Sequence, residues 1–362
     1  MLNNLQGKNI KFFTKYGING ASTRYRFYQY FKFLQEKGAS CDVISLFDDS
    51  DLVNLYENNG RSLFRLIYLF FRRVRVLLSI NIRNTDFLII YTELFPYIPP
   101  FFEFLLKLKK VPYILDYDDA IFHQYDKHSS RVVRFFLGKK ISYIMKHAEL
   151  VIAGNKYIEN YAIQSGVKRV EIIPTVVDMN HYASTSSKKN QTFTIVWIGS
   201  PSTSNYLNHI APALAKICKK RNIKVELIGV GNIDLPGVVF ESFSWSKETE
   251  FELLSRCHVG IMPLTRSSWE KGKCGLKIIQ YMACKLPVVA SPVGVNTEIV
   301  NNGVNGYLVD SLEDWESRLI ELYDNPEQLE SFGKNGRKKI KSEYSLQKYA
   351  QRYVDIINSI KR

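Results

Sequence analysis

WEKGKCGLKIIQYMACKLPVVASPVGVNTEIVNNGVNGYLVD, from Trp269 to Asp310, holds a turn, a helix and a strand in quick succession. Gly272 and Gly275 bracket the turn. Leu276, Ile279, Tyr281 and Met282 recur at helical spacing, which predicts a helix from Leu276 to about Cys284. Lys285-Leu286-Pro287 stops it, and Pro287-Val288-Val289-Ala290 reads as a short buried strand. Lys271, Lys273 and Lys277 crowd the start of the helix. Unpaired N–H groups already make that end partly positive, so cations are out of place there. A phosphate resting on the backbone N–H groups near Gly275, with a lysine beside it, resolves the conflict. For any one lysine, a stem that carries its ammonium into solvent is the simpler alternative.

Working outward, the chain repeats strand, turn and helix. Asn9 to Thr14, Ala39 to Leu46, Asp86 to Glu93, Val111 to Asp118 and Leu150 to Ala153 read as strands of a first domain, which Val170 to Val177 ends. The run from Asp86 to Glu93 is almost continuously apolar, as a parallel strand buried on both faces requires. After the first strand come Gly17, Asn19-Gly20 and Arg24, with Ser22 or Thr23 placed to cap a helix to about Lys37. Loops at the carboxyl edge of such a sheet bind ligands, so Arg24 and Arg26 are candidate phosphate or acceptor contacts, or plain surface arginines. Asp116, Asp118 and Asp119 cluster after a strand, where carboxylates bind a cation, move a proton, orient sugar hydroxyls or cap a helix.

The pattern restarts at Phe193 to Ile198, followed by Gly199-Ser200-Pro201-Ser202-Thr203 and a helix from about Asn205 to Lys220. Small residues and hydroxyls after a strand suit a phosphate cradle, although no Gly-Lys-Ser/Thr follows. Lys224 to Val230, ending in Gly229-Val230-Gly231, and Gly260 to Leu264 are further strands. The reading is α/β, two Rossmann-like domains facing a cleft, 1–183 and 190–345, and a helix in 346–362 that crosses back to the first domain. His181 to Gln191 is polar and aperiodic, a linker by composition.

The stretch from Trp269 to Asp310 resembles the donor-sugar signature of glycosyltransferase family 4, retaining enzymes of GT-B fold. Gly275-Leu276, Ala283, Pro287-Val288-Val289-Ala290-Ser291, Gly294, Glu298, Gly303 and Asn305-Gly306 match its pattern. Two departures stand out: the family's paired glutamates fall on Gly272 and Gln280. A variant with Lys-Cys-Gly, a later lysine and Gln-Tyr-Met-Ala resembles bacterial polysaccharide-assembly members. The resemblance implies sugar transfer from a nucleotide-diphospho-sugar, UDP-sugar favoured, to a glycan or lipid-linked saccharide, with no obligatory metal or cofactor. It implies Lys277 and Lys273 at the leaving diphosphate, with Asp118 and Asp119 in the catalytic site. Donor contacts are expected from Gly20, Arg24, Gly199, Ser200, Ser202, Thr203, Gly229, Gly231, Met262, Cys274, Gly275, Leu276, Gln280 and Glu298. Gln280 is the expected ribose partner.

The chain has 362 residues and a formal net charge of +14, with 46% hydrophobic residues, so it is a folded protein that needs an anionic partner or uses its charge for solubility. Arg61 to Thr85 carries six arginines and no acid among leucines and phenylalanines, and Ser129 to Ala148 is a second basic helix. Both suit an anionic membrane surface, and equally suit helices packed on a sheet with basic outer faces. Five scattered cysteines without a Cys-x-x-Cys pair suggest a reducing compartment, no disulfide framework and no zinc site. The N-terminal residues show no basic segment leading into an apolar signal core. The expectation is a cytoplasmic enzyme peripheral to the membrane. Nucleic-acid binding explains the charge but no RNA-binding motif is visible. A nicotinamide-dependent oxidoreductase would need Gly-x-Gly-x-x-Gly in a first turn, which neither domain has.

Overall fold

The apolar runs become strands of two parallel sheets. The computed structural model describes residues 5–56, 62–80, 85–182 and 188–360. The first sheet holds β1 (Asn9–Thr14), β2 (Ser40–Ser45), β3 (Phe87–Tyr91), β4 (Tyr113–Tyr117), β5 (Leu150–Ala153) and β6 (Val170–Ile172), in the order β2-β1-β3-β4-β5-β6. The second holds β7 (Phe193–Ile198), β8 (Ile223–Ile228), β9 (Phe240–Phe243), β10 (Val259–Met262), β11 (Val288–Ala290) and β12 (Gly306–Leu308), in the order β12-β11-β10-β7-β8-β9. β3, β4, β5, β10 and β11 are buried along their whole length, as helices on both faces demand. Strand order reverses between β1 and β3 and between β7 and β10. Ligands of open α/β sheets bind outside the carboxyl ends at such switch points.

Several local expectations need correction. β9 and β12 carry no signal in the sequence, because each is a short edge strand; Glu241 and Ser242 of β9 are exposed. The first helix starts at Ala21 with Gly20 as its N-cap, not Ser22 or Thr23, and continues through a π-turn at Arg24–Tyr28. The Thr23 hydroxyl donates instead to the Tyr16 carbonyl at 2.9 Å. The basic helix read over Ser129 to Ala148 is two, Arg131–Leu137 and Lys140–His147, broken at Gly138. Lys140 is buried, with its ammonium on the Glu93 carboxylate and 2.6 Å from the Phe95 carbonyl. The helix read over Asn205 to Lys220 is likewise a 3-10 turn, Asn205–His209, followed by Ala211–Lys220.

The arginine-rich segment is a helix, Leu63–Ser79, in which Arg75 is exposed while three other arginines are engaged within the protein. Arg65 and Arg72 pair with Asp48 at 2.8 and 2.9 Å. Arg73 is buried and donates to the carbonyls of Leu94 and Ile44 at 3.0 and 2.8 Å. Arg61 and Arg83 lie outside the described residues. Ser62 caps this helix by accepting from the Arg65 N–H.

The last helix, Leu346–Asn358, crosses back to the first domain. Tyr353 stacks on Tyr30 with centroids 4.1 Å apart, and Leu346, Ala350 and Val354 share a core with Phe12 and Ile114. Of the polar stretch His181 to Gln191, residues 183–187 lie outside the described residues. Its described ends are not free: Tyr182 packs on Phe251, and the Asn190 amide donates to Glu226 at 2.8 Å.

Candidate functional site

The carboxyl edges of the two sheets meet at the lysine-rich turn. Asn155, at the exit of β5, caps the helix Lys156–Gln164 by accepting from the Ile158 N–H at 2.9 Å. Its amide reaches across the seam and donates to the carbonyls of Gly272 and Lys273 at 2.7 and 3.2 Å. Cys274 is buried against the first domain, where a Cβ on Gly154 would collide with its sulfur. A Cβ on Gly272 would collide with Ala120 and lie 2.7 Å from its backbone nitrogen. The glycine that replaces the family's first glutamate is therefore a close-approach residue. Gly275 has φ +69° and caps the helix Leu276–Ala283; a Cβ there would meet Ile299.

Lys277 stands in the first turn of that helix. Its ammonium lies 4.0 Å from the Trp197 ring centroid, and a Cβ on Gly199 would come within 2.7 Å of it. Burial pushes the Lys277 pKa well below the ordinary lysine value, and the charge of Lys273 adds to this against the opposing pull of Asp119. Lys273 lies 3.5 Å from Asp119 and 5.8 Å from the Trp269 centroid. Burial raises the Asp119 pKa, and Lys273 opposes it. Asp118 accepts from the Tyr91 hydroxyl at 2.7 Å. Two ammonium groups thus face one carboxylate at a helix N-terminus, an arrangement able to take an anion. Lys271 is exposed beside them.

The third member of the aspartate cluster has another role. Asp116 is buried and holds Arg26 through two bonds, at 2.7 and 3.0 Å, while Arg26 also donates to the Ile173 carbonyl. Neither group is open to a ligand, and Arg26 is not the phosphate contact that its position suggested. Arg24 does reach the seam: its guanidinium lies 4.6 Å from the Trp245 ring centroid and 3.5 Å from Glu250. Gly20 anchors its helix, donating to the Gly17 carbonyl at 3.1 Å.

A cavity of about 500 Å³ opens between the domains beside this arginine. Asn19 and Asp49 line it from the first domain, and Gly229, Gly231, Ser244 and Trp245 from the second. Gly229 and Gly231, at φ +76° and +69°, turn the β8 exit sharply along its wall.

Gln280 is not free to meet a ribose. Its amide donates to Glu250 at 2.6 Å and to the Tyr25 hydroxyl at 3.2 Å. Glu250 also accepts from Tyr25 at 2.9 Å and from the Trp245 indole at 2.6 Å. Met262 is a core residue, and its carbonyl accepts from the Ser291 N–H at 3.1 Å. Leu276 packs on the same core. The β7 exit is folded on itself: Ser200 bonds Ser202 at 2.9 Å and Thr203 at 3.3 Å through its backbone N–H. Glu298 is exposed on a short turn of helix, with its backbone carbonyl 2.6 Å from Lys339.

Sequence reasoning missed Glu250, Tyr25, Trp197 and Asn155. Asn155 follows a buried strand and precedes a helix, which is a legible cap signal. Glu250 carried no local signal, since its partners Arg24, Tyr25, Trp245 and Gln280 come from three separate segments. Among the described residues no group of His, Cys, Asp and Glu could hold a metal, and no helix is long and apolar enough to cross a membrane.

Comparison with known proteins fits this geometry. The sequence model of the Glycosyl transferases group 1 family matches residues 192–325. A probable sucrose-phosphate synthase of Thermosipho melanesiensis is 36% identical over 100 residues, 28% of this chain and 22% of that protein. The match thus spans about a fifth of that relative's length. An uncharacterized glycosyltransferase of Methanocaldococcus jannaschii is 23% identical over 274 residues, 70% of each chain. Among solved structures, Anabaena HepE with UDP-glucose superposes with TM-score 0.71 at 14% identity, covering 97% of this chain and 100% of that one. Sucrose-phosphate synthase from Thermosynechococcus elongatus does so at TM-score 0.68 and 13% identity, covering 97% and 98%. Residues 192–325 thus match the Glycosyl transferases group 1 family, and the chain that carries them has the two-domain α/β fold, GT-B, of these solved structures.

Proposed function

We propose that this chain is a retaining glycosyltransferase of family 4 that moves a sugar from a UDP-sugar to a lipid-linked saccharide or glycan, in bacterial cell-surface polysaccharide synthesis at the cytoplasmic face of the membrane. The observation that carries the reading is the Lys273–Lys277 pair at the N-terminus of Leu276–Ala283, with a single carboxylate beside it. A diphosphate bound there meets helix N–H groups and two cations. As the sugar–phosphate bond breaks, negative charge builds on the leaving oxygen, and these groups stabilise it without a metal. The interdomain cavity of about 500 Å³ at Gly229 and Trp245 is of a size to hold a nucleoside, and HepE was solved with UDP-glucose in the same fold. Asp118 and Asp119 would orient the sugar hydroxyls from the first domain. The working units are residues 1–183 and 190–345, with the helix in 346–362 serving the first.

Calorimetric titration of the full chain with UDP, and with Lys277→Ala, tests the donor half. Incubation with UDP-glucose and UDP-N-acetylglucosamine in the presence of lipid-linked saccharide acceptors, read by mass spectrometry and anomeric NMR, tests the transfer. Failure of every nucleoside diphosphate to bind would overturn the reading.

A further inference from the structure

The helices Leu63–Ser79, Phe101–Leu108 and Arg131–Leu137 lie on one face of the first sheet. Leu77, Leu106 and Leu137, one from each, are buried in a single core with Leu88 and Leu115. Phe95 bridges them, with Phe70 at 5.3 Å and Phe102 at 4.5 Å between ring centroids, and accepts Lys140 on its carbonyl. The outward faces of the same helices are apolar where solvent-facing positions are usually polar. Phe64 is 86% exposed, Phe135 83%, Phe71 70% and Phe136 69%, joined by Tyr68 and Phe104. Exposed aromatic residues in this number on adjacent helices mark an interaction surface.

We infer that this surface docks on an anionic lipid bilayer, with the aromatic side chains entering the interfacial region and a surrounding set of cations meeting the headgroups. The inference rests on the membrane-side role proposed above. Charge selects the occupant. Residues 62–80, 101–110 and 130–140 contain one acid, Glu103, and it is buried with its carboxylate on the Leu94 N–H at 3.0 Å. Arg75, Lys107, Lys109, Lys110, Arg131 and Lys139 are exposed. A second copy of this chain would bring the same cations against them and offer no counter-charge, whereas an anionic headgroup layer supplies it. Aromatic residues are at home at that depth, with their rings among the upper acyl chains and headgroups. Within Leu63–Ser79 this role falls to Arg75, because Arg65, Arg72 and Arg73 are engaged within the protein.

The test is co-sedimentation of the full chain with phosphatidylglycerol-rich vesicles and with pure phosphatidylcholine vesicles. Binding to the first, falling with salt, and little to the second is expected. Phe135→Ser with Phe136→Ser should lower the partition coefficient by about tenfold or more, since the lost aromatic burial is large. Lys107→Ala with Lys109→Ala and Lys110→Ala should lower it by about fivefold per residue at low salt. Because these side chains are exposed, melting temperatures should not move. Hydrogen exchange on the unaltered chain gives a readout free of variant folding: lipid should protect peptides from these three helices. Equal partition of wild type and variants, absence of binding, or protection elsewhere would overturn the inference. A lipid-free dimer dispersed by the same substitutions would assign the surface to a second copy instead. UDP titration of the same variants separates the two readings: vesicle binding lost with UDP affinity intact touches only the docking surface, and the reverse for Lys277→Ala touches only the donor site.

Discussion

The Lys277 ammonium sits 4.0 Å from the centroid of the Trp197 ring, at the helix end where a cation is least favoured. Its depressed pKa means that the unfolded chain binds more protons than the folded one between the lowered value and the ordinary 10.5. Protonated Lys277 therefore costs stability below its folded value, and the cost fades as pH rises toward the unfolded value. Lys277→Met should melt above wild type at neutral pH, by up to about 1 kcal/mol after loss of the ring contact, and the gap should close in alkali. A bound diphosphate favours the charged amine and so raises the Lys277 pKa, which should appear as a pH dependence of UDP affinity that Lys277→Met removes. The same substitution should weaken UDP by about 10–100-fold, the loss of a charge-assisted bond. UDP affinity unchanged in Lys277→Met would mean that this lysine meets no phosphate.

Gln280 and Glu250 are bonded at 2.6 Å in a buried seam. Gln280→Glu would restore the glutamate common in the resembled family but place two carboxylates in contact. One must then hold a proton, so its pKa rises in the folded state. A raised carboxyl pKa loses stability as pH rises through the unfolded value. The variant should fall below wild type by on the order of 3 kcal/mol at pH 8 and by far less near pH 4.5, measured by chemical denaturation.

Gly272 presses on Ala120 across the domain seam. Gly272→Ala should destabilise the chain by about 1–3 kcal/mol through overpacking. Ala120→Gly removes the methyl contact but leaves the backbone nitrogen 2.7 Å away, so the double variant should recover part of the loss, a coupling that thermal melts can read. Independent, additive effects would show that the two residues do not meet in solution.

His258 accepts from the Thr194 N–H at 3.0 Å and stacks on Phe193 at 4.9 Å. Burial, with the charge of Lys189, lowers its pKa from 6.5 to about 4. A depressed histidine favours folding above 6.5, and that contribution is lost as pH falls toward 4. Denaturation across this range should show stability falling with acid, and His258→Gln should flatten the slope. An NMR midpoint near 6.5 for His258 would contradict the buried, accepting ring.

Apolar runs were enough for the centres of the two parallel sheets, because a strand buried on both faces must be apolar throughout, and β3, β5, β10 and β11 carry that demand in their own residues. The turn-and-helix at Gly275 was legible for the same reason: a left-handed glycine and an apolar helical stripe are local properties. Edge strands β9 and β12 escaped, since half-exposed backbone asks little of its side chains. Which charges are free was decided only in three dimensions. Arg26, Arg73 and Lys140 look like surface cations in sequence and are buried on partners far along the chain. Gln280 and Gly272 likewise take their meaning from Glu250 and Ala120, contacts that no spacing along the chain encodes. A side chain's charge is written in its residue type, but its solvation and its partner depend on which segments the fold brings to the same place.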